Sequence, residues 1–557
     1  MEFLRLVTTL DAVSKTTKKK EKISLVANLL READEHDISS TSLFLAGRIF
    51  PENEERVLNV SWSNLMGALH KVLDFKEEDL GELYEGDAGE AIAALLEAKG
   101  RSQQSVLFQE ALSVKSVSDG FTRISLAEGK GSTKEKQLLI SRLLSEASPR
   151  EARYLVALIL NDMRTGLSHG LLAESIVEAF SVDSELVRRA WNFSGNLGEV
   201  ARIALKSGNT GLKKATIRPM IAVKPMLASP INDLKEALEI ANGKKISLEL
   251  KLDGARVQVH KNGKQIRIFS RGLNDMTESL PEIVREVNDK VKANQIILDG
   301  EVVAVDSKGT PYPFQVIMRR FGRTREDRES PKEINLLLYV FDILQLNGVM
   351  LVDESYSKRR SHLEREIPES MCVGRIVTDK LEEAEEFFFR SKEMGHEGLL
   401  AKQLNSPYVP GVRGKHWLKI KHTLNTMDLV IIAAEWGHGR RSKWLSDYHL
   451  AVFDEDTDSF TMIGKTFKGL TDSELQEMTE KLQRIQVSKT RGHVKVKPEV
   501  VVEVLAAEIQ ESPKYTSGFA LRFARITRIR DDKAPEEAMT LKELRATFDA
   551  QFRYKAR

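Results

Sequence analysis

The sequence predicts a multidomain chain in three parts: an all-α unit, an α+β unit and a small β-barrel. Three observations carry this. Apolar residues recur at helical spacing as far as Lys214, three prolines between Thr216 and Pro230 change the texture, and short strands with polar turns dominate after Lys421. At 557 residues the chain is too long for one ordinary core. The units are read as residues 1–215, 216–421 and 422–557.

In the first unit Phe3, Leu6, Val7 and Leu10 share one helical face, as do Ile23, Val26, Leu29 and Leu30, and later Leu155, Leu158 and Ile159. The basic run from Lys15 to Lys22 reads as a solvated face. Two segments interrupt the helices with small residues: Asn161–Gly170, which holds Arg164 and Gly166, and Asn192–Glu199, which holds Gly195 and Gly198. Small residues allow close approach of the backbone, and helix starts offer free N–H groups to phosphate; helix-capping loops are the plain alternative. Gln104-Ser-Val-Leu107-Phe108 sets two apolar anchors after a glutamine, where an ordinary buried Leu-Phe pair is the alternative.

In the second unit Glu249, Lys251 and Asp253 alternate with Leu248, Leu250 and Leu252, so an extended strand would turn the leucines into a core and the charges to the other face. That pattern fits an exposed strand as well as a site. Gly254 lets the backbone turn, and Arg256 brings a second cation. Val257–His260 and Gln265–Ile268 flank Asn262-Gly263, a hairpin signal. A helix follows from Ser279, then a strand Ile296–Asp306, an apolar strand Leu336–Leu344, a helix Leu381–Met394 and a last strand ending at Lys421, on which Trp417, Lys419 and Lys421 share a face. Strands and helices mix without regular alternation, which favours α+β.

After Lys421, strands at Leu429–Glu435, His449–Phe453, Phe460–Ile463 and Val500–Ile509, with a helix at Asp472–Leu482, suit a small β-barrel such as an OB-fold. Thr540 and Glu543 form a capping-box pattern, and Leu541, Leu544, Phe548 and Phe552 an apolar stripe that reads as docking on its own unit.

Composition narrows the class. The net charge is only +2, so nucleic-acid affinity would have to come from segregated basic patches. The single cysteine, Cys372, excludes a disulfide framework and a cysteine-rich zinc site, and suits a reducing interior. No apolar run reaches membrane-spanning length and the N-terminus lacks a signal-peptide pattern. An intracellular location is expected.

Seven islands in order resemble the motifs of the covalent nucleotidyltransferases, the superfamily of ATP- and NAD-dependent ligases and mRNA capping enzymes. They are KLDGAR from Lys251, SRG around Arg271, DGEVVAVD from Asp299, YVFDIL from Tyr339, EGLLAK from Glu397, WLKIK from Trp417 and RFARITRIRDDK from Arg522. With the helical unit in front and the helix at the end, nearly the whole chain resembles an ATP-dependent DNA ligase of the archaeal replicative type. That resemblance names the units: a helical DNA-binding domain, an adenylation domain and a C-terminal OB-fold.

The resemblance implies roles. Lys251 would take AMP from ATP as a phosphoramidate, pass it to the 5′-phosphate of a nick, and release it when the 3′-hydroxyl attacks. Glu249 would contact the adenine, Arg256 and Arg271 the ribose and phosphates, and Phe341 would stack on the base. Glu301 and Glu397 would handle Mg²⁺ or Mn²⁺. Arg413, Lys419 and Lys421 would meet the triphosphate, while Arg522, Arg525, Arg528 and Lys533 would orient pyrophosphate when the last unit closes about a hinge at His422–Asn425. Arg164, Gly166, Gly195 and Gly198 become candidate contacts to nicked duplex DNA, and Gln104, Leu107 and Phe108 to a PCNA-type sliding clamp. A free lysine titrates near ~10.4, so Lys251 is expected to be brought down by Arg256, Arg271, Lys419, Lys421 and a bound Mg²⁺ before it can attack. A monomer associated with the nucleoid and serving replication, repair and recombination is expected.

Rival readings are weaker. An NAD-dependent ligase would carry a cysteine zinc site that one cysteine cannot build. A capping enzyme or RNA ligase would not need the helical unit. A nick-binding scaffold without chemistry would have no use for Lys251, Glu301, Glu397 and Lys419 together.

Overall fold

The computed structural model describes residues 1–54, 56–84, 86–99, 111–313, 316–317, 334–422, 426–437, 439–490 and 492–551. Gln104, Leu107, Phe108, Phe552 and the expected hinge positions 423–425 lie outside them.

The first unit packs helices from Phe3–Lys15 to Leu197–Lys213 around one apolar core. Its breaks are capping devices. Ser148 and Glu151 close a capping box on a helix with Pro149 at its first position, and Asn161 ends that helix in the left-handed conformation. Asn196 caps the helix Leu197–Lys213 through the Glu199 amide at 3.0 Å, while Gly195 ends the helix before it. These features match the helix-capping alternative. Gly198 is buried inside its helix, where a Cβ would lie 2.6 Å from the Ser39 carbonyl oxygen of the helix Ile38–Leu45, so it serves helix packing. Gly195 is buried at its cap. Gly166 follows Thr165, whose carbonyl accepts from Lys22 Nζ at 2.7 Å. Arg164 is exposed and paired with Asp162 at 2.7 Å.

The proline segment is no free linker. Ile217, Val223 and Met226 are buried, and the Gln258 side chain bonds Val223 N and O at 2.8 and 3.1 Å. The segment ends in strand β1 (Leu227–Pro230). Proline lacks a ladder donor and suits an edge strand, and β1 is the edge of its sheet.

The second unit has two five-stranded sheets. The first runs β1-β10-β9-β2-β8, with β2 at Ile246–Lys251, β8 at Arg375–Thr378, β9 at Gly398–Gln403 and β10 at Arg413–Lys421. The second runs β4-β3-β5-β6-β7, with β3 at Ala255–Asn262, β4 at Gln265–Ser270, β5 at Gln295–Val305, β6 at Asn335–Leu346 and β7 at Val349–Met350. Leu248, Val303, Phe341 and Ala401 belong to one shared core, so the sheets pack on each other. The helices Leu234–Ala241 and Leu381–Glu393 pack into that core, and Pro281–Lys290 covers the second sheet. The alternating charges on β2 do not face water: Glu249 is fully buried among Lys402, Tyr356 and Arg360.

The third unit carries a sheet ordered β13-β12-β11-β15-β14, with β11 at Met427–Trp436, β12 at Leu445–Asp454, β13 at Ser459–Thr466, β14 at Gln486–Thr490 and β15 at His493–Leu505. β16 (Glu508–Glu511) pairs β17 (Phe519–Arg522), and β18 (Arg525–Ile529) pairs β15. Thr471 opens the helix Asp472–Arg484 with a capping box. In the final helix, Leu541–Gln551, Leu544 is fully buried and Phe548 packs on Phe519 at 5.0 Å, so the stripe docks on its own unit.

His260 on β3 is fully buried. Its Nδ1 accepts from the Met220 amide at 3.1 Å and its Nε2 donates to Gln258 Oε1 at 2.8 Å, which fixes the neutral tautomer. Burial, with Arg267 nearby, pushes its pKa down to about 3. The unfolded chain therefore takes up a proton that the fold refuses: stability is full above about pH 6.5 and is lost as pH falls toward the folded value. The melting temperature should drop more steeply below about pH 6.5 in this protein than in a His260→Gln variant, as read by calorimetry.

Candidate active site

Three strands bring the central lysine into place. Lys251 ends β2 opposite Gly398 of β9, and Gly398 in turn faces Lys421 of β10. A Cβ on Gly398, at φ 142°, would lie 2.1 Å from the Ile420 carbonyl oxygen, so only glycine lets the three strands meet this closely. Next to it, Glu397 N donates to the Lys251 carbonyl and His422 N to the Glu397 carbonyl, both at 2.9 Å. The result is a cavity of about 750 Å³ between the two sheets, large enough for a nucleotide.

Charge in the cavity is arranged around one carboxylate. Glu397 Oε2 lies 2.8 Å from Lys251 Nζ and 2.5 Å from Lys421 Nζ. Burial alone would raise the Glu397 pKa, but the two ammonium groups outweigh it and hold the carboxyl below its usual range. Burial likewise works against the charge on Lys251, yet Glu397 and Glu301 prevail and keep it above the ordinary lysine value. Here the carboxylates outweigh the side-chain cations expected to lower it. The nearest ionised neighbours are carboxylates, and Arg256 is already committed to Asp299. Glu301 accepts from Gly254 N at 3.2 Å, and burial pushes its pKa up to about 7. Lys419 is the cation brought down, by burial and by Lys421, Arg413, Lys251 and Arg271.

One end of the cavity is aromatic. Phe341 of β6 meets the Trp417 ring edge-on at 6.0 Å, and Trp417 meets Tyr408 at 5.5 Å. The buried Trp417 Nε1 has no partner among the described residues. Arg256 forms a two-pronged pair with Asp299 at 3.0 and 2.6 Å, and its guanidinium stands 5.4 Å from the Phe341 ring. Tyr408 donates to the same Asp299 at 2.6 Å.

Of the residues expected at the nucleotide, Lys251, Arg256, Arg271, Glu301, Phe341, Glu397, Arg413, Lys419 and Lys421 all border this cavity. Glu249 does not: its carboxylate pairs with Lys402 at 2.6 Å in a buried cluster. The last unit reaches the cavity through Arg522 and Phe523. Arg525 and Arg528 stand exposed on β18 beside Leu505 and Glu503, and Lys533 pairs with Asp428 at 2.6 Å, so these three lie elsewhere in this arrangement. Phe523, Trp417 and Asp299 went unassigned by sequence reasoning. Phe523 holds φ 54°, unusual for an aromatic residue, which no pattern signals. Asp299 opens a quoted motif and was within reach.

Glu301 and Glu397 bring oxygen donors to one wall, as Mg²⁺ prefers. Among the described residues no group of three or more His, Cys, Asp or Glu could hold a metal by itself. The pair therefore suits a cation that shares its coordination with phosphate oxygens.

Because Gly398 has neither steric room nor an ordinary backbone angle for a side chain, Gly398→Ala should cost about 1–3 kcal/mol. Calorimetry should show a lowered melting temperature and labelling with ATP a reduced yield.

Comparison with known proteins gives three family matches: "DNA ligase N terminus" over residues 2–175, "ATP dependent DNA ligase domain" over 225–421, and "ATP dependent DNA ligase C terminal region" over 441–533. The chain is 42% identical over 542 residues to DNA ligase 1 of Korarchaeum cryptofilum, covering 97% of each chain. It is 40% identical over 562 residues to the DNA ligase of Thermococcus fumicolans, covering 100% of each. A solved structure titled Pmar-Lig_Pre. shares the fold, with a TM-score of 0.54 and 15% identity over 94% of this chain and 99% of that one. No helix among the described residues is long and apolar enough to cross a membrane.

Proposed function

The chain belongs to the archaeal ATP-dependent DNA ligases and seals nicks through an adenylated intermediate, and we propose that Lys251 is the residue that carries the AMP. The observation that supports this is the position of Lys251 on the cavity wall, with carboxylates beside it and Lys419, Lys421, Arg271 and Arg413 around the same space.

In step one the neutral Lys251 amine attacks the α-phosphorus of ATP. An N–P bond forms, the bond to the bridging oxygen breaks, and pyrophosphate leaves. The ammonium from which Lys251 must shed a proton lies 2.8 Å from the Glu397 carboxylate. Phe341 stacks on the base, and Arg256, held in register by Asp299, faces the sugar and phosphates. Arg271, Arg413, Lys419 and Lys421 neutralise the charge that gathers on phosphate oxygens in the transition state. When Mg²⁺ is bound, Glu301 and Glu397 would hold it and it would supply further charge neutralisation on the phosphates. In step two AMP passes to the 5′-phosphate of nicked duplex DNA. In step three the 3′-hydroxyl attacks that phosphorus and AMP departs. Activation matters because a bare phosphate monoester has no good leaving group.

We read the C-terminal β unit as an OB-fold that closes over the nucleotide, a reading supported by Arg522 and Phe523 at the cavity. Arg164, exposed beside the capping loop of the helical unit, is a candidate phosphate contact for DNA. The reaction serves replication, repair and recombination, as is typical of the family.

Lys251→Ala should abolish self-adenylation. After incubation with α-labelled ATP and a denaturing gel, the parent chain should carry label and the variant none; label on the variant would overturn the assignment.

The placement of Arg522 separates it from its neighbours. Arg522→Ala should slow self-adenylation by about tenfold or more while sealing of a pre-adenylated nick changes far less. Lys533→Ala should act mainly on stability, through its lost pair with Asp428. Single-turnover rates on the two substrates, with melting temperatures, check both.

A further inference from the structure

Lys224 stands where the helical unit meets the second unit, and the reaction as described does not use it. Its side chain reaches into the first unit: Nζ lies 3.1 Å from Glu52 Oε2 and 3.5 Å from the centroid of the Trp191 ring. Its backbone is held from both sides. The Lys224 amide donates to the Asn192 carbonyl of the first unit at 3.0 Å, and the Lys224 carbonyl accepts from the Gly411 amide of the second at 3.2 Å. Asn192 is buried on the helix Ser184–Ser194, and its Nδ2 donates to the Pro410 carbonyl at 2.6 Å. A Cβ on Gly411 would lie 2.6 Å from Asn192 Oδ1, so this close approach needs a glycine. Phe193, the next residue along that helix, is buried in the core of the second unit, and Arg189 grips Asp353 with contacts of 2.7 and 2.6 Å.

Each side of this junction leads to a site. On the first side, the other oxygen of Glu52 lies 3.5 Å from His169 Nδ1, and His169 opens the helix next after Arg164. On the second side, Gly411 comes two residues before Arg413, which stands opposite Leu227 of β1 and borders the cavity of Lys251. Units of one chain swing against each other by default, and apolar packing alone gives a contact no direction. An ion pair, a cation over a ring and a buried amide hydrogen bond together fix an angle as well as a distance. In-line attack demands that precision, since a misplacement of about 1 Å can cost about 100-fold in rate.

We propose that Lys224 is a positioning residue for the DNA-dependent steps: by holding the helical unit at one angle to the second unit, it sets the register between a nick gripped by the first and the AMP carried by the other. The proposal rests on the readings that the helical unit grips duplex DNA and that Lys251 carries the AMP. It gives Lys224 no part in step one, which needs no DNA.

The test uses the full chain, adenylated beforehand and mixed with saturating nicked duplex in a single turnover, with nick affinity and self-adenylation by α-labelled ATP measured alongside. Lys224→Met keeps the apolar stem over Trp191 and loses the charge. It should slow AMP transfer to the nick about tenfold or more, while self-adenylation stays within about twofold and nick affinity within about threefold. The control for lost stability is Lys261→Met, which removes a buried ammonium that donates to the Val291 carbonyl at 2.6 Å inside the second unit. It should lower the melting temperature and leave transfer within about twofold. If Lys224→Met does not fold, Lys224→Met/Glu52→Gln leaves no unpaired carboxylate behind and should show the same slowing of transfer. An unmoved transfer rate in whichever variant folds overturns the proposal. So does an equal fall in self-adenylation, a loss confined to nick affinity, or a slowing in Lys261→Met as large as in Lys224→Met. Hydrogen exchange with and without nicked duplex separates the readings. No added protection within residues 1–215 sinks the grip reading and the proposal with it; protection there beside unmoved transfer in Lys224→Met sinks the proposal alone. Label retained by Lys251→Ala removes the other reading, and the proposal falls with it.

Discussion

The Glu397 carboxylate is shared by Lys251 and Lys421, and the geometry of the site depends on that shared ion pair. It joins the end of β2 to the end of β10 across Gly398, the one residue small enough for the gap. Two ammonium groups on one carboxylate leave the cluster with a net positive charge, which suits a polyanionic substrate. The same contact favours the ammonium form of Lys251.

Buried charge recurs through the second unit. Arg359 and Asp342 are fully enclosed, with contacts of 2.7 and 2.9 Å, and Asp342 directly follows Phe341. Arg256 and Asp299 form a similar pair on the cavity wall. Such pairs contribute little net stability, since desolvation offsets much of their attraction, but losing one partner is costly. They fit a role in fixing geometry. The strands that carry Phe341, Arg256 and Lys251 are each pinned by an ion pair as well as by the ladder.

Much of this was legible in the sequence, for local reasons. The Asn262-Gly263 hairpin, the strand Asn335–Leu346 and the helix Leu541–Gln551 were signalled by turn chemistry, apolar runs and caps, all of which act within a few residues. The cavity residues were found because their motifs are short and contiguous. What failed was tertiary. Alternation on β2 marks which face a charge takes, and says nothing of what covers it, so Glu249 looked available and proved sealed. Prolines at 219, 225 and 230 suggest a linker, but the apolar residues between them decide that the segment packs. The arginines of the last motif share a short stretch of sequence, yet the turn at Phe523 and the pairing of β18 with β15 send Arg522 and Arg525 to different places.

His422 sits just past the last strand of the second unit, and its contacts point backward. Its amide donates to Glu397, its ring lies 4.0 Å from Phe388 and its Nε2 lies 2.9 Å from Ser391 Oγ. The middle unit of this chain thus extends one residue beyond its final strand. For anyone cutting the protein into separately expressed fragments, a stop codon after Lys421 would strip the Glu397 peptide of its amide donor and bare the aromatic face of Phe388. A cut after His422 would leave both satisfied.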